Sequence, residues 1–213
     1  MTGTPHPEPN TSRAAAALTP EARGVHRALL SGFAATGQSL TREDLERVAH
    51  RHGTDVATVV TELAEADVVA FGERGEVRAA YPFAPVPTPI SVTWRGGPAA
   101  YAMCAIDALG ISAMLDRAVT ITACEPRTGK RITVDVDNDQ ASWHPDSAVV
   151  FAGTVNDTCC AAVDRMCGYV NFFTSARAAS DWASDHPDVR GAVLDQATAL
   201  ASGIAEFGEL LRM

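Results

Sequence analysis

Along the first third of the chain, apolar residues recur at three- and four-residue intervals, the spacing of helices that bury one face. Val25, Leu29, Leu30 and Phe33 form one such stripe behind Thr19-Pro20-Glu21. That tripeptide offers an N-cap, a proline suited to the first helical turn and an early acid. Leu45, Val48 and Ala49 form a second stripe behind Thr41 and Asp44, whose spacing resembles a capping box. Val56, Val59, Val60 and Leu63 form a third, opening near Thr54 and Asp55. The pattern then changes. Residues 68–71 and 77–80 are short apolar runs on either side of Gly72-Glu73-Arg74-Gly75, which predicts a β-hairpin.

Three helices and a hairpin predict a winged-helix-like module over residues 18–80. The third helix region, where such a module would read DNA, carries Asp55, Glu62, Glu65 and Asp67 and no Lys or Arg. A phosphate backbone repels such a helix, so the module is expected to be a structural or interaction module. Residues 81–89 (YPFAPVPTP) reject helix and predict a linker. Beyond it the pattern is mixed. Strands are expected at 90–94, 119–123, 131–136, 149–152 and 169–173. Helices are expected at 99–115, from a Ser175 cap through Asp185, and at 192–211. The fold class is therefore α+β: a flexible lead over 1–17, the module over 18–80, the linker over 81–89 and a mixed α/β catalytic domain over 90–213.

Composition narrows the function. The 213 residues are 46% hydrophobic and 20% charged, enough to bury a sizeable core. The net charge of -9 argues against nucleic acid as the main partner. No apolar run reaches the length of a membrane span, so no membrane partner is expected. The first residues lack a basic start followed by an apolar stretch, so a secretory signal is not expected. The five cysteines are accordingly expected as reduced thiols in the cytoplasm.

Two segments place thiols where chemistry could use them. In Cys104-Ala105-Ile106-Asp107 a helix would put thiol and carboxyl on one face. A carboxylate beside a thiol raises the thiol's pKa, which suits a bound cation that displaces the thiol proton, or a carboxyl that passes a proton onward. Taken alone, the pair reads first as core packing. Cys167, beside Gly168, stands at the entrance to the apolar strand expected at 169–173. Cys159 and Cys160 form an adjacent pair that could bind a soft metal or be small buried residues, and Cys124 reads as structural. No CxxC pair exists and no His stands at ligand spacing from a Cys, which disfavours zinc. Nucleotide-binding, serine-hydrolase and HExxH motifs are absent.

These segments, taken together, resemble the organomercurial lyase (alkylmercury lyase) family. Met103-Cys104-Ala105-Ile106-Asp107-Ala108-Leu109 is similar to the family's W-C-A-L-D-T-L, and the run from Met166 to Ser175 is similar to its F-C-x-x-V-x-F-F-A-S. The turn from Cys124 to Gly129 resembles a family turn built on Cys, Thr and Gly. Ala179-Ser180-Asp181-Trp182-Ala183 with His186 resembles its A-x-D-W-A helix. Met103 and Met166 stand where the family has aromatic residues, and Tyr169 and Asn171 stand where it has histidines. The resemblance implies carbon–mercury cleavage with Cys104, Cys167 and Asp107 as catalytic residues. The same three would hold mercury as substrate and product, with Cys159 and Cys160 as further candidates. It implies no organic cofactor, and an Hg(II) acceptor that is a low-molecular-weight thiol or a mercuric reductase. Two alternatives stay open: a diverged lyase-fold enzyme acting on another small molecule, and a thiol-rich metal-binding or regulatory protein.

Overall fold

A computed structural model describes residues 10–155 and 162–212. Helices α2 (Pro20–Thr36), α3 (Arg42–Arg51) and α4 (Val56–Glu65) start where the sequence predicts. Thr19, Thr41 and Asp55 cap them, each accepting a backbone N–H three residues on. The hairpin of β1 (Val69–Phe71) and β2 (Val77–Ala80) follows. It opens an antiparallel eight-stranded sheet with β3 (Phe83–Ala84), β4 (Ile90–Trp94), β5 (Ala99–Ala102), β6 (Val119–Cys124), β7 (Arg131–Asp137) and β8 (Gln140–His144). The strand order is β1-β2-β3-β5-β4-β6-β7-β8.

A second sheet, β10-β9-β11, is built from β9 (Val149–Val155), β10 (Val170–Phe173) and β11 (Val189–Leu194). Helix α7 (Ala176–Ser184) packs Trp182 against Phe151 and Phe173 of that sheet. Helices α5 (Ala105–Leu115) and α8 (Gln196–Phe207) cross in the core. A Cβ placed on Gly203 would lie 2.7 Å from the Gly110 nitrogen and 2.8 Å from the Ile106 carbonyl oxygen, so the two backbones touch.

Several expectations are corrected. The helix expected over 99–115 begins only at Ala105. Residues 99–102 are strand β5, because Ala100 and Ala102 face the core while the backbone pairs with both β3 and β4. Pairing on both sides outweighs alanine's preference for helix. The helix expected over 192–211 is likewise split: residues 189–194 pair with β9, and Asp195 caps α8. The stretch expected as a linker over 81–89 carries β3, whose buried Phe83 stacks on Phe33 at 5.2 Å. The stretch expected as a flexible lead contains helix α1 (Thr11–Ala17), capped by Asn10. It docks on the end of α8, where the Thr11 N–H donates to Glu206 at 2.7 Å and the Ser12 hydroxyl donates to the Glu206 carbonyl at 2.6 Å. Strand β8 has too weak an alternation to be read from sequence.

Gly203→Ala is expected to destabilise the protein by about 1–3 kcal/mol, because the added methyl meets backbone atoms that cannot swing aside. Urea denaturation measures it. A second expectation concerns His26, which is buried in α2 with its Nε2 lacking a hydrogen-bond partner among the described residues. Burial pulls its pKa from 6.5 down to about 4. The unfolded chain therefore takes up the proton first, and stability is lost as pH falls through 6.5 toward 4. His26→Leu should remove up to roughly 3 kcal/mol of that acid-side loss, read as the stability difference between variant and parent at about pH 7 and about pH 4.

Candidate functional site

Cys104 is not on a helix face but at the N-cap of α5, in extended backbone with φ -152 and ψ -178. Its Sγ accepts the Asp107 N–H at 3.5 Å. Every other capped helix described above uses a hydroxyl, amide or carboxylate oxygen for this job. Sulfur is a poorer acceptor, so serine would serve the helix better. The position is one where a thiol makes sense for its chemistry. The cap also fixes Asp107 one helical turn into α5, with Cys104 and Asp107 both almost fully buried.

Cys167 comes from a different element. A four-residue helix, α6 (Ala162–Arg165), is followed by a 3-10 turn, Cys167–Tyr169, that leads into β10. There the Cys167 thiol, half-buried, borders the same cavity as Cys104 and adds to the upward shift of the Cys104 pKa. The sequence motifs thus meet in space: Cys104, Asp107 and Cys167 line one cavity of about 100 Å³. Cys124 is exposed at the end of β6 and does not line it. Cys159 and Cys160 lie outside the described residues.

Sequence reasoning missed four polar lining residues: Thr11, Asp67, Tyr81 and Glu206. Tyr81 sat in a proline-rich stretch that reads as a linker, and Asp67 in a helix-to-strand turn. Neither place carries a local chemical signal. Among the described residues, no Lys, Arg or His lines the cavity.

Without a cation, burial governs the electrostatics. Burial pushes the Asp107 carboxyl well above the ordinary carboxylate range, and the neighbouring Cys104 and Glu206 push it further. Its Oδ2 has no hydrogen-bond partner among the described residues. Burial also pushes the Cys104 thiol well up, with the Cys167 contact adding to it and hydrogen bonds from Asp107 offsetting part. Burial raises Glu206, partly offset by the Thr11 N–H, and raises Tyr81, with Cys167 and Asp67 adding. The site is therefore rich in acidic groups whose protonated forms burial favours. Such a site rejects anions and holds exchangeable protons for a cation that binds sulfur. Among the described residues, no three His, Cys, Asp or Glu side chains form a ready-made metal cage. Two adjoining sulfurs with a carboxyl beside them are what the fold provides.

The sequence profile of the alkylmercury lyase family matches residues 83–208, which include all three of these residues. The alkylmercury lyase of Bacillus cereus is 32% identical over 154 residues, covering 72% of this chain and 68% of that one. The alkylmercury lyase of Staphylococcus epidermidis is 34% identical over 145 residues, covering 68% of this chain and 66% of that one. The crystal structure of the mercury-bound form of MerB2 superimposes with a TM-score of 0.74 at 25% identity, covering 94% of this chain and 96% of that chain. With the profile spanning more than half of its length and full-fold similarity alongside, this chain belongs to the alkylmercury lyase family.

Proposed function

We propose that this protein cleaves the carbon–mercury bond of organomercurials by protonolysis, with Cys104 and Cys167 binding mercury and Asp107 handling the proton. The observation that carries the reading is the buried Asp107 carboxyl, its pKa pushed well up, one helical turn from the Cys104 thiol in a cavity that Cys167 also lines. The names of the family and of its mercury-bound relative point the same way.

Mercury is a soft cation and thiolate is the softest donor a protein offers. In R–Hg–X, the first sulfur displaces X, and the thiol proton leaves with it as HX. As the second sulfur binds, the Asp107 proton passes to the carbon and the carbon–mercury bonding pair becomes the new C–H bond. The second thiol's proton restores Asp107. In sum, R–Hg–X and two thiols give R–H, HX and Hg(II) held by two thiolates. Mercury stays Hg(II) throughout, so the step needs neither oxidant nor reductant. The two new negative sulfurs are neutralised by the metal they bind, which offsets the burial penalty that raises the Cys104 pKa.

Low-molecular-weight thiols or a mercuric reductase then take Hg(II). The same reading puts the protein's work in the cytoplasm, where thiols stay reduced. It assigns catalysis to residues 90–213 and reads residues 18–80 as a winged-helix-like module that supports the site instead of binding DNA. No described helix is long and apolar enough to cross a membrane.

The test is benzene release from phenylmercury by the pure protein in excess thiol. Cys104→Ser keeps a side chain that caps α5 at least as well, so its stability should stay within about 1 kcal/mol of the parent. Its turnover should nevertheless vanish, as should that of Cys167→Ala. Asp107→Asn should still take up mercury while its single-turnover cleavage slows by at least about a hundredfold, the loss of one general acid. Near-parent turnover by either cysteine variant would remove that thiol from the site.

A further inference from the structure

The two sulfurs are held in unequal ways. Cys104 caps α5, an eleven-residue helix locked against α8 through Gly110 and Gly203. Cys167 follows α6, which has four residues. A helix that short cannot hold itself, and its first N–H groups have no partner within it. Residues around the hairpin supply those partners. The Asp67 carboxylate accepts the Ala162 N–H, at 3.0 Å to Oδ2 and 3.3 Å to Oδ1. The Tyr81 hydroxyl oxygen accepts the next N–H, that of Val163, at 2.8 Å. Arg78 then pairs with Asp164 at 2.7 Å, an exposed contact that contributes little alone. The Met166 N–H donates to the Ala162 carbonyl at 2.8 Å, so the place of Ala162 passes directly to the residue before Cys167.

We propose that Asp67 and Tyr81 are positioning residues that fix the spacing of the two sulfurs by anchoring the start of α6. They flank the hairpin in sequence, one just before β1 and one just after β2, which brings both to its open end, and both border the cavity. The N-terminal part of the chain thereby becomes part of the catalytic apparatus: it carries the anchor for Cys167, while the α5–α8 pair carries Cys104. Asp67 has φ 49, in the left-handed region. Asn tolerates that region and keeps an acceptor oxygen, whereas Gly tolerates it and keeps none. The two substitutions therefore separate the carboxylate's anchoring from its backbone conformation.

The proposal rests on the lyase reading for its consequence in catalysis, so the test reads sulfur spacing separately. Phenylarsine oxide, whose arsenic(III) bridges two neighbouring thiols, is titrated into the full chain. A Cys159→Ser/Cys160→Ser background prevents that adjacent pair from capturing the reagent. Phenylmercury single turnover is followed on the same samples. Asp67→Gly/Tyr81→Phe should fold with the parent's circular dichroism, yet bind the arsenical at least about tenfold more weakly and cleave at least about tenfold more slowly, since a small misplacement of reacting groups is costly. Asp67→Asn should stay within about threefold of the parent in both, by keeping the acceptor. Unchanged arsenical affinity in the folded double variant overturns the proposal, and so does an Asp67→Asn that falls as far as Asp67→Gly. Should the double variant fail to fold, Tyr81→Phe alone decides, because it keeps the buried ring and loses only the acceptor; unchanged affinity there also overturns it. A parent that releases no benzene but whose arsenical affinity still depends on Asp67 and Tyr81 would sink the lyase reading and leave the positioning intact.

Discussion

The site depends on one weak hydrogen bond in an unusual place, the Asp107 N–H donated to the Cys104 sulfur at the start of α5. That bond makes the thiol the cap of a core helix and fixes the carboxyl one turn further in. It can be weak because α5 does not rely on it. The helix is buried nearly throughout and is held by backbone contact with α8. Tertiary packing stabilises the helix, which leaves the cap position free to carry sulfur.

Burial then does two jobs at once. It excludes water from the thiol–carboxyl pair, and it pushes the pKa of both groups well up. A helix N-terminus usually favours a thiolate. Here desolvation and the second thiol outweigh that dipole. Such an arrangement is poorly suited to a simple cysteine nucleophile attacking a neutral carbonyl. It suits a reaction in which a soft cation replaces thiol protons and one of those protons must reach carbon. In the proposed cycle, the free energy of forming two sulfur–mercury bonds offsets the cost of ionising the buried Cys104 thiol.

Much of this was legible in the sequence, for physical reasons that differ by element. Thr19, Thr41, Asp55 and Ser175 announced their helices because capping is a local interaction. Motif order and chemistry singled out Cys104, Asp107 and Cys167, which the fold brings to one cavity, although the geometry joining Cys104 to Asp107 proved to be a cap instead of a shared helix face. What stayed hidden was non-local. Strands β5 and β11 look helical in isolation and become strands only through partners far along the chain. The Pro-rich stretch at 81–89 hid β3 and the Tyr81 hydroxyl. The polar start of the chain hid a helix whose docking partner, Glu206, lies at the other end of the sequence. Asp67 read as one more surface acid, because its partners on α6 are brought to it only by the fold.

The central claim is that Asp107 waits in its protonated form inside the empty site. Infrared difference spectroscopy of the parent against Asp107→Asn, at about pH 7 in H₂O and D₂O, reads that proton directly through the carboxyl stretch. The account predicts a protonated-acid C=O band in the parent that shifts in D₂O and is absent from the variant. Carboxylate stretches in its place would show that Asp107 is ionised at rest and would contradict the account.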